Sequence, residues 1–502
     1  MEQMKKRKIN DAPAYRLITG AFKRNRGGMT VADVVARTAL PLDKVRTLVN
    51  DVADEYSAHI SVTESGEILY SFPSGFTSKY RGFKAVAGRA LRTIGGALKT
   101  AAAALFKVWI MVMLVGYFVL FMLIALAALV LSVAANSSSS DNRRSDSGGG
   151  IFFASGIFNF IIRIWFYSEL ARAIEGPRYG YAYNSARVEK RPKGKPLYKA
   201  IFSFVFGDGD PNANMETRER QALIAYIQAN KGVISLPEFM VLTGSSGSEA
   251  DSLICSYCAE YGGMPEVTED GTVVYRFDDL LLRADKRDRS FAGFSAPLAQ
   301  LNRFSSNTTK MNVWFCVINS VNLIFGSYFF INAMNSGHIL TQEHFNASSY
   351  LYGVTYLLSK HFVDNPLPFI TIGLGVIPFI FSLFFWFIPL ARFILLKHDN
   401  EKIKLENLRK SAFMQIWDDP LTVKASDIKS NLKEASPKNM NAARERVIKD
   451  MGAYSMPDVT VDEKGEAVYS FNELEREKTA LAKYRYSLST PELGKVVFNT
   501  DE

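Results

Sequence analysis

Few residues in this chain are spaced for chemistry. The clearest set lies in Phe206-Gly-Asp208-Gly-Asp210-Pro-Asn212-Ala-Asn214, where Asp208, Asp210, Asn212, Asn214 and Glu219 occupy positions 1, 3, 5, 7 and 12 of an EF-hand-like loop. That is the oxygen spacing Ca²⁺ favours. Ala213 stands where such a loop needs Gly, and Pro211 stiffens it. The preceding Ile201–Phe206 reads as a strand or membrane-grazing segment rather than an entering helix. A turn that caps the following helix, Met215–Asn230, is therefore preferred to a metal site. Cys255-Ser-Tyr-Cys258 is a Cys-x-x-Cys placed mid-helix with no second pair for zinc, and Cys316 falls in an apolar run. His338, Glu343 and His344 could meet at a metal, but loop histidines are more often polar surface. The chain has five His, no Gly-x-x-x-x-Gly-Lys-Ser/Thr and no His-Glu-x-x-His, so neither an enzyme nor a cofactor is expected.

The elements around these residues follow a recurring hairpin. Val62-Thr-Glu-Ser-Gly66-Glu-Ile-Leu-Tyr70-Ser-Phe72, Val267-Thr-Glu-Asp-Gly271-Thr-Val-Val-Tyr275-Arg-Phe277 and Val461-Asp-Glu-Lys-Gly465-Glu-Ala-Val-Tyr469-Ser-Phe471 each place a small turn and Gly between strand-forming residues. Tyr and Phe two apart share one strand face and are expected to enter a core. The first two copies align without a gap at an offset of 205 residues, pairing Thr38 with Thr243, Leu48 with Leu253 and Tyr56 with Tyr261. Short helical stretches precede each hairpin, opened by Thr30-Val-Ala-Asp33 and Ser235-Leu-Pro-Glu238, both capping-box patterns. This order resembles the winged-helix domain, and implies three small winged-helix-like modules at 1–76, 215–282 and 410–475.

Between the modules lie apolar runs. Leu105–Ala135 and Ile151–Ser168, the latter carrying Asn159 and Arg163, form a first membrane hairpin within 105–168. Val313–Met334 and Phe369–Leu390 form a second within 313–390, around an outer loop at 335–368; Pro378 and Pro389 are expected to interrupt the fourth span. Asn319 and Asn322 share a helix face and could bond a neighbouring helix or line a path. Trp165-Phe-Tyr-Ser-Glu-Leu-Ala-Arg172 and Trp386-Phe-Ile-Pro-Leu-Ala-Arg392 resemble each other, so the duplicated unit reads as a module plus its membrane hairpin. The remaining pieces are linkers at 169–214, 283–312 and 391–409 and a C-terminal tail at 476–502.

Charge orients the spans. Residues 77–107 carry seven basic side chains and no acid, 169–200 eight against three, and 283–310 six against two, whereas 136–150 balances two against two and 335–368 has one Lys against two acids. The positive-inside rule then puts the termini and all three modules in the cytosol, below an inner membrane crossed four times. Met1-Glu-Gln-Met-Lys-Lys-Arg-Lys is followed by no apolar core, so no signal peptide is expected. Within 77–104, Lys79, Arg81, Lys84, Arg89, Arg92 and Lys99 make a basic amphipathic stretch suited to anionic headgroups.

The net charge of +9 does not point to nucleic acid. Residues 220–282 carry three basic side chains against nine acids, and Ser248–Glu260, where a recognition helix would lie, has none. The Phe-Gly-Asp-Gly-Asp-Pro-Asn string, with Lys231-Gly-Val-Ile, also resembles a family of uncharacterised bacterial and plastid membrane proteins over residues 195–280, which implies a membrane protein without an established activity. The expected fold class is thus an α+β membrane protein, four transmembrane helices in two hairpins alternating with three winged-helix-like cytosolic modules. The expected function is a non-catalytic scaffold that contacts lipid and a protein partner and is compatible with homo-oligomers. A transporter or channel component is the alternative, and a membrane-tethered transcription regulator a more distant one.

Overall fold

The computed structural model describes residues 11–25, 27–79, 83–137, 195–284, 296–341, 346, 348–430 and 436–500. The expected span Ile151–Ser168, with Asn159, Arg163 and Arg172, lies outside the described residues, as do Arg81, Glu343 and His344, and the side chains of Lys84, Arg89 and Arg92. The described chain divides into two compact units, one drawn from 1–89, 210–302 and 398–502, the other from 90–209 and 303–397.

In the first unit the three hairpins close by the same turn. The amide of Gly66 donates to the Thr63 carbonyl, Gly271 to Thr268 and Gly465 to Asp462, at 2.8, 2.9 and 3.0 Å. Each glycine has φ between 81° and 84°, a left-handed conformation costly for a side chain with a Cβ.

The chain before the first hairpin folds as α1 (Ala12–Arg24), α2 (Val31–Thr38) and α3 (Leu42–Tyr56), followed by β1 (His59–Thr63) and β2 (Ile68–Ser71). A continuous helical run comes next: α4 (Phe83–Met111), a π-helical segment Val112–Gly116, and α5 (Tyr117–Ser137). After α6 (Leu197–Phe206), the elements α7 (Met215–Ala229), β3 (Val233–Ser235), α8 (Leu236–Thr243), α9 (Gly247–Tyr261), β4 (Met264–Val267) and β5 (Val273–Arg276) repeat the order of the first set. At the 205-residue offset, α2 and α8, α3 and α9, and β2 and β5 have identical bounds. Thr30 and Ser235 both form complete capping boxes, with Asp33 and Glu238 returning the bond. Ala39 and Gly244, in the left-handed region at φ 56° and 74°, terminate α2 and α8.

Further on come α10 (Thr309–Met334), α11 (Ser336–Leu340), α12 (Tyr350–Lys360), a π-helical segment Phe369–Val376 and α13 (Ile377–Asp418). The last elements are β6 (Val423–Lys424), α14 (Met440–Gly452), β7 (Asp458–Val461), β8 (Ala467–Ser470), α15 (Asn472–Ser487) and β9 (Val496–Asn499).

Among the described residues three small sheets result, ordered β2-β1-β9, β3-β5-β4 and β6-β8-β7. In the second and third, a strand ahead of the helices pairs with the outgoing hairpin strand, Ile234 opposite Tyr275 and Val423 opposite Tyr469. In the first, a single bridge, Met29 to Tyr70, takes that place. The residues read as a C-terminal tail instead contain most of α15 and all of β9, and β9 adds an antiparallel strand to β1.

One apolar core joins all three hairpin regions, from Ile18, Val35 and Leu48 through Phe239, Ile254 and Phe277 to Phe413, Val447 and Phe471. Tyr70, Tyr275, Phe277 and Phe471 are buried, whereas Phe72 and Tyr469 are half-buried. Phe72 packs edge-on to Phe22 and stacks on Phe76, beyond the strand it follows.

The second unit contains most of the apolar helices. Among the described residues, three helical stretches are long and apolar enough to cross a membrane: Ala97–Val133, Thr309–Met334 and Pro366–Asp418. Ile201–Phe206, expected as a strand or grazing segment, is instead most of α6, because its Phe and Ile side chains pack helically with Ala200, Ile201 and Phe204 buried. Pro378 and Pro389 do not break the fourth run. The π segment ends just before Pro378, where its wider register absorbs the missing donor, and α13 continues through Pro389. Gly326 of α10 and Gly375 face the opposing backbone so closely that a Cβ would lie 2.9 Å from Phe379 N and 3.0 Å from Phe330 N. Small residues here let the helices approach.

Candidate functional site

The residues of the Asp-Gly-Asp-Pro-Asn string serve two separate tasks. Gly207 ends α6 with φ 86°, and a Cβ there would sit 2.5 Å from Arg392 Nη2. The space is needed because Arg392 Nη1 donates to the carbonyls of Phe204 and Val205 at 3.0 and 2.9 Å, and Nη2 to that of Phe304 at 2.9 Å. A guanidinium thus satisfies carbonyls that the end of α6 leaves without helical partners. Asp208 accepts from Lys195 Nζ at 2.5 Å, Ser203 Oγ at 2.7 Å and the Ser306 amide at 2.6 Å. Burial alone would raise its pKa, but these hydrogen bonds outweigh it and hold the carboxyl well below the usual carboxylate range.

The other members of the expected calcium set turn elsewhere. Asp210 accepts from the Asn212 amide at 2.8 Å; Asn212 makes a reciprocal pair with the Gln300 backbone at 2.7 and 2.8 Å; and Glu219 pairs with Lys410 at 2.5 Å. Asn214 sits at the N-cap of α7, yet its side chain makes no capping bond. The five oxygens therefore do not converge, and no group of three or more His, Cys, Asp or Glu able to hold a metal occurs among the described residues. The spacing fits a calcium loop, but Asp208, Asn212 and Glu219 are drawn to Ser306, Gln300 and Lys410, which lie 98, 88 and 191 residues away. The matching Trp386…Arg392 string was the only sequence sign of Arg392, and nothing in it named Gly207 as its neighbour.

Cys255 is exposed and Cys258 half-buried within α9, and burial pushes the Cys258 thiol up to about 11. A thiol so raised is a poor nucleophile at neutral pH. His361 Nδ1 lies 3.0 Å from the Leu357 carbonyl on the same helix. Among the basic residues expected at lipid, Lys79 is tied through its amide to the Glu55 carbonyl, and Lys99 is exposed on α4. Lys107, farther along α4, stands over the Phe202 ring at 4.4 Å.

Asn319 and Asn322 are both buried in the apolar bundle. Asn319 Nδ2 donates to the Ser382 carbonyl of α13 at 3.0 Å, and Asn322 Nδ2 to the Leu114 carbonyl at 2.8 Å. Leu114 lies in the π segment, where the stretched register loosens carbonyls for outside donors. The two amides thus tie α10 to two other helices, and each anchors to backbone.

In the first unit, polar bonds join the hairpin regions to one another. Tyr261 Oη donates to the Ala39 carbonyl at 2.9 Å, Gln221 Nε2 to that of Arg37 at 2.6 Å, and Arg46 pairs with Asp279 at 3.1 Å. On the other side, α15 lies against α8 and the second hairpin. Arg485 makes a bidentate pair with Glu238 at 2.8 and 2.6 Å and donates to the Val233 carbonyl, while Lys231 Nζ reaches the carbonyls of Arg485 and Leu488. Tyr484 bonds Glu266, and Lys483 meets Asp270 at 3.3 Å.

No family profile matches the chain, and no solved structure matches it. It is similar, at 26% identity over 450 residues covering 85% of this chain and 76% of the relative, to "Uncharacterized protein At5g03900, chloroplastic" of Arabidopsis thaliana.

Proposed function

We propose that this protein is a membrane-anchored, non-catalytic scaffold whose three winged-helix-like modules act as one body that engages a protein partner. The observation that carries the reading is the single core shared by the three hairpin regions, reinforced by the C-terminal helix and strand. The common order of helix, strand, helix and hairpin supports a winged-helix-like module, and the shared element bounds at the 205-residue offset support duplication. The buried amides of Asn319 and Asn322, tied to backbone, favour helix packing over a solute path. In this reading an inner membrane, or its plastid counterpart, holds the chain with the modules on the basic, cytosolic or stromal side.

The partner surface is the open edge of the second and third sheets. There Met264, Val267, Met456, Val459 and Val461 are 69–86% exposed except Val459 at 58%. An apolar edge strand flanked by charge is suited to pairing with another chain. The test has two arms. Crosslinking in cells, followed by purification in mild detergent, should recover a defined partner from the native chain and not from a Val459→Lys, Val461→Lys variant. Cysteines placed at 350 should label from outside and those at 210 should not. Labelling at 210, or a solute flux in reconstituted liposomes that Asn319→Leu with Asn322→Leu abolishes, would refute the scaffold.

A further inference from the structure

We propose that the first unit carries a binding site for a phosphate-bearing small molecule, in the hollow between α1, the end of α2 and α7. The cavity, about 400 Å³, is lined by Arg16, Gly20, Arg24, Arg37, Thr38 and Gln221 among others, and none of the described residues lining it is acidic. The positions contributed by α1 follow helical spacing along one stripe. Arg16 and Arg24 stand about 12 Å apart along the axis, and Gly20 lies between them. A Cβ at Gly20 would meet nothing within 4 Å, so this glycine opens the hollow rather than accommodating a neighbour.

The floor is already satisfied. Thr38 Oγ1 donates to the Val34 carbonyl at 2.7 Å, and Gln221 Nε2 to the Arg37 carbonyl at 2.6 Å. What remains at the rim is the two exposed arginines of α1. Arg16 and Arg24 make no ion pair or hydrogen bond among the described residues. Several other cations of this unit are matched, Arg46 by Asp279, Arg220 by Glu260, Lys410 by Glu219 and Arg485 by Glu238. A concave surface with two unpaired guanidiniums on one helix stripe and no acid among its described lining residues fits a polyanion, and planar guanidinium groups suit the paired oxygens of a phosphate. Volume of this size admits a phosphomonoester or diphosphate with a small organic portion. The same chemistry occurs in a soluble metabolite and in a phospholipid headgroup.

The test uses the full chain in neutral detergent at fixed ionic strength, titrated calorimetrically with inorganic pyrophosphate and separately with dihexanoyl phosphatidic acid. Saturable binding of either probe is expected. Pyrophosphate alone assigns a soluble ligand, and phosphatidic acid alone a headgroup. Arg16→Gln with Arg24→Gln should weaken that binding about tenfold or more, since two charge-assisted contacts are lost. Gly20→Leu should block it while amide exchange in α1 is no faster than in the native chain, because the new side chain grows into open space and favours the helix. Binding of neither probe, or binding that both variants leave intact, would overturn the assignment.

Discussion

Removing Arg485 tests whether the C-terminal helix holds the second hairpin region in place. Glu238 is 1% exposed, and its carboxylate accepts from Arg485 Nη1 and Nη2, from Tyr226 Oη at 2.6 Å and from the Ser235 amide at 3.1 Å. In Arg485→Met the first two bonds go, and a buried carboxylate keeps only two neutral donors. Breaking one side of such a pair costs about 3–5 kcal/mol, whereas replacing both sides by neutral groups costs far less. Arg485→Met should therefore loosen α8 and α15 by about that amount, and Arg485→Met combined with Glu238→Gln should recover at least about 2 kcal/mol of it. A chain of several units does not unfold in one step, so the readout is amide hydrogen exchange in Leu236–Thr243 and Asn472–Ser487, with native chain in the same detergent. A loss of this size speeds exchange there by roughly 10²- to 5 × 10³-fold. Acceleration below about fivefold, or a double variant equal to the sum of the singles, would refute the claim that this pair fastens the helix.

Three further outcomes follow from the geometry. Asn319→Leu and Asn322→Leu should each destabilise the bundle by about 0.6–2 kcal/mol, read by unfolding in mixed detergent micelles, because each removes one interhelical bond in an apolar setting. Gly271→Val should cost about 1–3 kcal/mol and raise exchange in β4 and β5, since φ 84° is a conformation that a β-branched residue resists; unchanged protection would mean the turn relaxes without loss. Asp208 has a folded-state pKa below its unfolded value, so the stability it contributes is present above the unfolded pKa and is lost as pH falls through the folded one. Proteolysis of the 303–308 segment should accordingly rise below about pH 4 in the native chain, and Asp208→Asn should show the raised rate already at pH 7 with little further change.

What the sequence determined by itself were the features decided within a few residues. The turn glycines at 66, 271 and 465, the capping boxes at Thr30 and Ser235, and the apolar runs around Thr309–Met334 and Pro366–Asp418 were all legible, because turn type, capping and hydropathy depend on neighbours along the chain. Even Asn319 and Asn322 announced a shared helix face by their spacing. Only the tertiary structure decided where Asp208 and Glu219 point, since their partners, Ser306 and Lys410, lie 98 and 191 residues away. It likewise turned an apparent tail into α15 and β9, with Arg485 reaching Glu238 across 247 residues and β9 pairing with β1 near the other end of the chain. A charged helix and a short strand carry the same local signals whether they hang free or fasten a core. The difference is the burial and pairing they gain from distant segments, and local sequence does not encode which segment that is.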